Sequence, residues 1–183
     1  MKYLFATSNA SKFREISEIF NDIGLELEHC EIEIEELQSD SFEEIALHSA
    51  RKAYEQLGKP VFVEDAGISV DSLEGFPGPF TKYVFYTIGI AGLLKLLEGV
   101  SDRKAEYTSV LAYTDGNQEK VFKGSCRGSI AREYRGDGGW GWDPVFIPEG
   151  EDFTFGENYS SKKEHSHRSK SARALADWLK TNG

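Results

Sequence analysis

The chain has 183 residues with a formal net charge of -10, from 31 acidic against 21 basic side chains, and 39% of it is apolar, including 12 Phe, 8 Tyr and 3 Trp. That length and apolar content exclude a disordered chain and predict one domain over residues 1–183. The acidic balance excludes a nucleic acid polymer or an anionic membrane surface as partner, since both repel it, and leaves a small anion delivered with a divalent cation admissible.

Tyr3 to Ala6 is a short apolar run that suits a buried strand, and Phe13, Ile16, Ile19, Phe20 and Ile23 then recur at helical spacing until Gly24. Leu25, Leu27, His29, Ile32 and Ile34 alternate with polar residues as in a half-exposed strand. Ser41 with Glu44 forms a capping box for a helix whose face is Phe42, Ile45, Ala46, Ser49, Ala50 and Ala53, ended by Gly58 and Pro60. Val61 to Val63 reads as a central strand, with Glu64 and Asp65 where that strand meets a turn. GFPGPF (75–80) breaks both periods, and helical patterns resume through Tyr86 and from Ile88 to Leu97. Two strand-like runs, 104–114 and 120–131, flank Asp115-Gly116-Asn117, a hairpin signal. GDGGWGWDP is irregular, and a last helix runs from about Ser166 to Asn182 with Ala172, Leu175, Ala176 and Leu179 as its buried stripe. Strands alternating with helices early and pairing as a hairpin later predict an α/β fold with a mixed, twisted central sheet flanked by helices.

Cys30 and Cys126 are far apart and outside any C-x-x-C spacing, which supplies neither a disulfide framework nor a zinc knuckle and fits a reducing compartment. The apolar stretch in MKYLFATSN is too short for a secretory signal, and the run Ile88 to Leu94 ends at Lys95, too short to span a bilayer. A cytoplasmic protein is expected.

Four polar groupings carry possible chemistry. ATSNASK (6–12) sets Thr7, Asn9 and Lys12 at a strand-to-helix turn, where unpaired N–H groups and the positive end of the helix dipole suit a phosphate; plain N-capping by Asn9 or Ser11 is the alternative. Glu64 and Asp65, with Glu36 as a third member, read as a magnesium site, because that ion takes oxygen ligands and needs few carboxylates once phosphates are bound; a solvated turn is the competing reading. KKEHSHR (162–168) offers Lys162, His167 and Arg168 as donors to an anion or a base edge, against the reading of a solvated basic helix start, whose cations would oppose the dipole. Trp140 and Trp142 in GWGWDP either stack on a nucleobase or plug the core, and their alternate spacing lets at most one face a ligand.

Taken in order, ATSNASK, EELQ, VEDAG with LEGFPGPF, GWGWDP, TFGE and SHR resemble the inosine/xanthosine triphosphate pyrophosphatase family from Phe5 to Arg168. The resemblance implies two lobes around a nucleotide-binding cleft, a homodimer, and Mg²⁺-dependent hydrolysis of ITP, dITP or XTP to the monophosphate and pyrophosphate. By matching positions it implies that Thr7, Asn9 and Lys12 hold the triphosphate and that Glu36 and Asp65 hold the metal. Asp65 or Glu64 would orient or deprotonate water, with Lys12 offsetting developing charge. Trp140, Trp142, Asp143, Lys162, His167 and Arg168 would form the base-binding end. Donors aimed at a 6-oxo group disfavour adenine, whose amino group leaves them unpaired; guanine shares the 6-oxo group and is not separated by that logic. The sequence departs from the family pattern at Ala66 for Ser, Asn158 for Met and Glu164 for Asn. A Maf-like nucleotide pyrophosphatase and a nucleotide-binding module without turnover are the competing functions.

Overall fold

A computed structural model describes residues 2–35 and 37–182. β1 (Lys2–Ala6) leads into α1 (Ala10–Asp22), whose Glu15, Ile16, Ile19 and Phe20 are buried at helical spacing. β2 (Glu26–Cys30) returns parallel to β1, with Lys2 opposite Glu26 and Ala6 opposite Cys30. α2 (Phe42–Leu57) starts at the predicted cap, where Ser41 Oγ accepts the Glu44 N–H at 3.2 Å, and buries Phe42, Ala46, Ala50 and Ala53. A cap of this kind contributes about 1 kcal/mol. β3 (Val61–Val70) lies parallel to the other side of β1, in the register Leu4–Val61 and Phe5–Phe62.

The remaining elements are β4 (Pro77–Gly78), α3 (Thr81–Thr87), α4 (Gly89–Leu96), β5 (Lys104–Thr114), β6 (Glu119–Ile130), β7 (Phe146–Pro148), α5 (Tyr159–His165) and α6 (His167–Asn182). The seven strands form one mixed sheet in the order β2-β1-β3-β5-β6-β7, with β4 beside β3. Asp115 turns the β5–β6 hairpin by accepting the N–H groups of Asn117 and Gln118 on its Oδ1 at 2.8 and 2.9 Å.

The chain divides into two compact units. One comprises Met1–Asp65, Ser109–Gly124 and His167–Gly183, the other Ala66–Thr108 and Ser125–Ser166. In the first, one core joins Phe5, Ile16, Phe20, Phe62, Leu111 and Leu175, with the Phe5 and Phe62 rings stacked at 4.7 Å and 7°. A second, around Ala46, Ala50, Val61, Val63 and Val110, lies under α2. The other unit is built on Ile68, Leu93, Tyr107, Trp142, Phe146 and Phe155.

Two elements differ from the expectation. β3 does not stop at Val63: Ile68 and Ser69 pair with Gly78 and Pro77 of β4, and that pairing keeps the chain extended, so Glu64 and Asp65 sit inside a strand rather than at its turn. The basic segment is two helices. Lys162, Lys163 and His165 occupy the last turn of α5, where the dipole favours them, and Ser166, extended at φ -67 and ψ 164, separates them from α6. With seven residues, α5 is too short for an apolar period to reveal. Among the described residues, no helix is long and apolar enough to cross a membrane.

Candidate active site

The strand order gives the first clue to a site. β1 has β2 on one side and β3 on the other, so the chain leaves β1 in one direction and returns past it in the other. Ligands of open α/β sheets bind beyond the carboxyl ends of strands at such a reversal. The segment Thr7 to Lys12 lies at the carboxyl end of β1. Asn9 is the N-cap of α1, its Oδ1 accepting the N–H groups of Ser11 at 2.9 Å and Lys12 at 3.1 Å. Thr7 Oγ1 accepts the Asn9 N–H at 3.1 Å. The capping reading is therefore correct as geometry, and it leaves the Asn9 amide N–H₂ and the Thr7 O–H as donors at the positive end of the helix. The His29 ring steadies the turn, with Nε2 2.8 Å from the Thr7 carbonyl and its face stacked on Phe13 at 4.2 Å.

Lys12 reaches across to β3, just past the last β1–β3 register pair, donating to the Glu64 carbonyl at 3.1 Å with the Glu64 carboxylate 3.4 Å away. The Glu64 side chain is fully enclosed. Ser109 Oγ donates to its Oε1 at 2.6 Å, and Arg168 Nε donates to the same oxygen at 2.8 Å. Arg168, also buried, donates through NH1 to Glu15 on α1. Burial alone raises a carboxylate's pKa, but Arg168 and Lys12 outweigh it and hold Glu64 below the usual range. Burial likewise disfavours the Arg168 cation, and the two carboxylates more than compensate, moving its pKa up.

These contacts sort the acids. The Glu64 carboxylate takes two hydrogen bonds on Oε1 and has the Lys12 ammonium beside Oε2, an arrangement that suits an anchor for the two cations. Asp65 is its neighbour in β3, where successive residues face opposite sides of the strand. Among the described residues no group of three His, Cys, Asp or Glu side chains could hold a metal. Glu36, the other predicted ligand, lies outside the described residues. The donor chemistry fits magnesium: Asp65 offers carboxylate oxygen, and that ion is completed by phosphate oxygens and water.

The second unit holds the aromatic grouping. Asp143, 1% exposed, takes the Lys162 ammonium on Oδ2 at 2.7 Å and the Trp140 backbone N–H on the same atom at 2.7 Å. Lys162 Nζ stands 5.2 Å from the half-buried Trp140 ring and 5.6 Å from Tyr159. Gly139, at φ +72, makes this possible, since a Cβ there would strike the Asp143 carboxylate. Behind the loop, Gly138 N–H donates to the Gly156 carbonyl at 2.8 Å and Gly156 N–H to the Asp143 carbonyl at 2.9 Å, so GDGG and TFGE are two sides of one frame.

Trp142 differs from the expectation of a base contact. It is 3% exposed, packs edge-on against Phe85 at 5.1 Å, and donates its indole N–H to Thr81 Oγ1 at 2.9 Å, because its alternate position turns it into the core. Arg168 belongs to the Glu15 and Glu64 network, and His167 is buried beside it at the start of α6. Sequence pattern does not single out Glu15, Ser109 or Ser171; the one usable signal is Glu15, an acid on the buried face of α1 three residues after Lys12. An open cavity of about 600 Å³ in the second unit is lined by none of the predicted site residues. Its buried Arg103 is a structural clamp, donating to the carbonyls of Leu97, Ile130 and Ala131 at 2.7 to 2.8 Å.

Known proteins share this chain's sequence and fold. Residues 3–178 match the Ham1 family. A dITP/XTP pyrophosphatase from Methanopyrus kandleri is 50% identical, over 100% of this chain and 98% of its own length. Another dITP/XTP pyrophosphatase, from Hyperthermus butylicus, is 48% identical over 98% of this chain and 95% of its own. A solved HAM1 protein from Coxiella burnetii matches with a TM-score of 0.87 at 29% identity, covering 99% of both chains.

Proposed function

The chain belongs to the Ham1 family, and on that premise we propose that it is an acid-anhydride hydrolase that clears non-canonical purine nucleoside triphosphates, converting ITP, dITP and XTP to the monophosphate and pyrophosphate. The observation that carries the reading is the turn after β1, a capped helix start with Thr7, Asn9 and Lys12 at a sheet reversal, in a chain half identical over its whole length to a dITP/XTP pyrophosphatase. The reading includes dependence on Mg²⁺, a homodimer and a cytoplasmic setting.

Thr7, Asn9 and the N–H groups of α1 bind the triphosphate, and Lys12 offsets the charge that builds on it. Asp65 orients a water toward the α-phosphorus and takes its proton as pyrophosphate leaves. Asp65 and Glu36 would hold Mg²⁺, which when bound neutralises phosphate charge and acidifies water. Glu64 contributes by holding Lys12. Trp140 stacks on the base, and Lys162, fixed by Asp143 beside that ring, donates to the 6-oxo oxygen together with His167. Trp142 supports the loop from the core.

Incubation with ITP, XTP, GTP and ATP, with and without Mg²⁺, tests the proposal when pyrophosphate is assayed separately from orthophosphate. Pyrophosphate from ITP and XTP, only with Mg²⁺, is expected. Orthophosphate as product, or equal turnover of ATP and GTP, sinks it. ITP binding without turnover points to the binding-module reading.

A further inference from the structure

Arg168 is bracketed by two carboxylates from different elements: Glu64 of β3 on its Nε and Glu15 of α1 on its NH1. Lys12 completes an alternating series, Glu15, Arg168, Glu64, Lys12, whose charges sum to zero. Exposure falls from 18% at the Lys12 side chain to 8% at Glu15, 3% at Arg168 and none at Glu64. Two serines close the arrangement from the rear. Ser109 Oγ donates to Glu64 at 2.6 Å and Ser171 Oγ to the Arg168 carbonyl at 3.1 Å, with the two hydroxyl oxygens 2.8 Å apart. Gly124 of β6 lets α6 approach this closely, since a Cβ there would strike the His167 carbonyl and the Ser171 N–H.

We infer that Glu15 is a positioning residue for the phosphate end: by holding the second arm of Arg168 it fixes the Glu64 carboxylate, and through it the Lys12 ammonium at the mouth of the α1 turn. A planar guanidinium serves two carboxylates at set angles, which an ammonium does not. Without Glu15, Arg168 has one buried anion instead of two and turns toward Glu64, displacing Lys12 from it. Lys12 and Glu15 are three residues apart on one face of α1, so the helix that presents the ammonium also carries the group that aims it. The inference rests on the triphosphate-binding reading of the α1 turn.

The test compares wild-type, Glu15→Gln, Glu15→Asp, Lys12→Met and the Glu15→Gln/Lys12→Met double variant. Two readouts are taken: calorimetric affinity for inorganic tripolyphosphate, which needs no turnover, and kcat/KM for ITP and GTP with Mg²⁺. Glu15→Gln is expected to weaken tripolyphosphate binding and to lower kcat/KM for both nucleotides by one common factor, up to about 10²-fold, leaving the ITP to GTP ratio unchanged. Glu15→Asp keeps the charge and recovers part of the loss. The double variant is no worse than Lys12→Met alone, because the effect passes through Lys12. A merely structural Glu15 lowers the melting temperature and leaves both readouts as in wild-type well below it, which overturns the inference. A changed ITP to GTP ratio, additive effects in the double variant, or no tripolyphosphate binding by wild-type overturns it too. Should Glu15→Gln not fold, Glu15→Asp decides by the same criteria. Wild-type that binds tripolyphosphate and turns over no nucleotide sinks the proposed activity while leaving the positioning role measurable.

Discussion

The two polar groupings solve the same problem, holding a cation in a dry place, in opposite ways. Beside the α1 turn the charges alternate, and the members come from α1, β3 and α6, far apart in sequence. Each inner member has more than one partner, so the load is shared. At the aromatic end one atom, Asp143 Oδ2, takes both the Lys162 ammonium and the Trp140 N–H, and the frame around it is local backbone with glycine. In a shared network the loss of one partner repositions the others, while at a single hub it leaves a buried cation unpaired. The first arrangement thus suits a cation tuned in position, and the second a cation and a ring held in fixed relation.

This contrast can be broken at several points. The largest effect is expected for Asp65→Asn, which removes the group proposed to take the proton: kcat for pyrophosphate release falls by about 10² to 10⁴ at saturating Mg²⁺. Full activity in that variant removes Asp65 from the chemistry. Next, Asp143→Ala takes the carboxylate from a buried ammonium and is expected to cost about 3 to 5 kcal/mol in urea unfolding; a loss under about 1 kcal/mol means Asp143 is no hub. Gly124→Ala attacks the shared network from behind by forcing α6 away from β6, at about 1 to 3 kcal/mol of stability. Tripolyphosphate affinity should drop with it, and unchanged affinity separates the packing of α6 from the placing of Lys12.

Sharpening the comparison needs a pair of variants. Trp140→Ala is expected to weaken ITP binding by about 1 to 3 kcal/mol through lost stacking and to leave inorganic tripolyphosphate binding unchanged. Lys12→Met should weaken both ligands alike, and a Trp140 effect on tripolyphosphate denies the division of labour. The smallest effect belongs to an exposed pair outside both groupings: Arg51 donates twice to Glu119 at 2.7 Å, yet Arg51→Ala should cost at most about 1 kcal/mol and less in high salt, measured by thermal unfolding.

Local pattern makes much of the fold legible. Apolar spacing locates β1, α1, α2, the β5–β6 hairpin and α6. The Ser41 N-cap and the Asp115 turn appear as expected, because cap and turn chemistry depends on residues within three or four positions of one another, although Ser39 and not Glu44 takes the Ser41 N–H, so the box is not reciprocal. The full length of β3 and the presence of α5 escape local pattern for different reasons. Pairing with Gly78 extends the one, and the second, capped by Asn158, is too short at seven residues to show an apolar period and stands apart from α6 only through the extended Ser166.

The candidate residues divide along the same line. The sequence by itself determined which side chains are present and in what order along the chain, enough to mark Thr7, Asn9, Lys12, Asp65, Trp140 and Lys162 and the resemblance that joins them. It also set the helix start after β1, since capping needs only Asn9 and the N–H groups of Ser11 and Lys12. Tertiary structure alone decided that Arg168 lies between Glu15 and Glu64, that Trp142 enters the core while Trp140 stays by Lys162, and that the Glu64 carboxylate is enclosed by Ser109, Arg168 and Lys12. The physical reason is that a buried charge takes its role from the opposite charge and dielectric around it, and partners 104 and 153 residues away along the chain are brought there only by the packing of α6 against the sheet and α1.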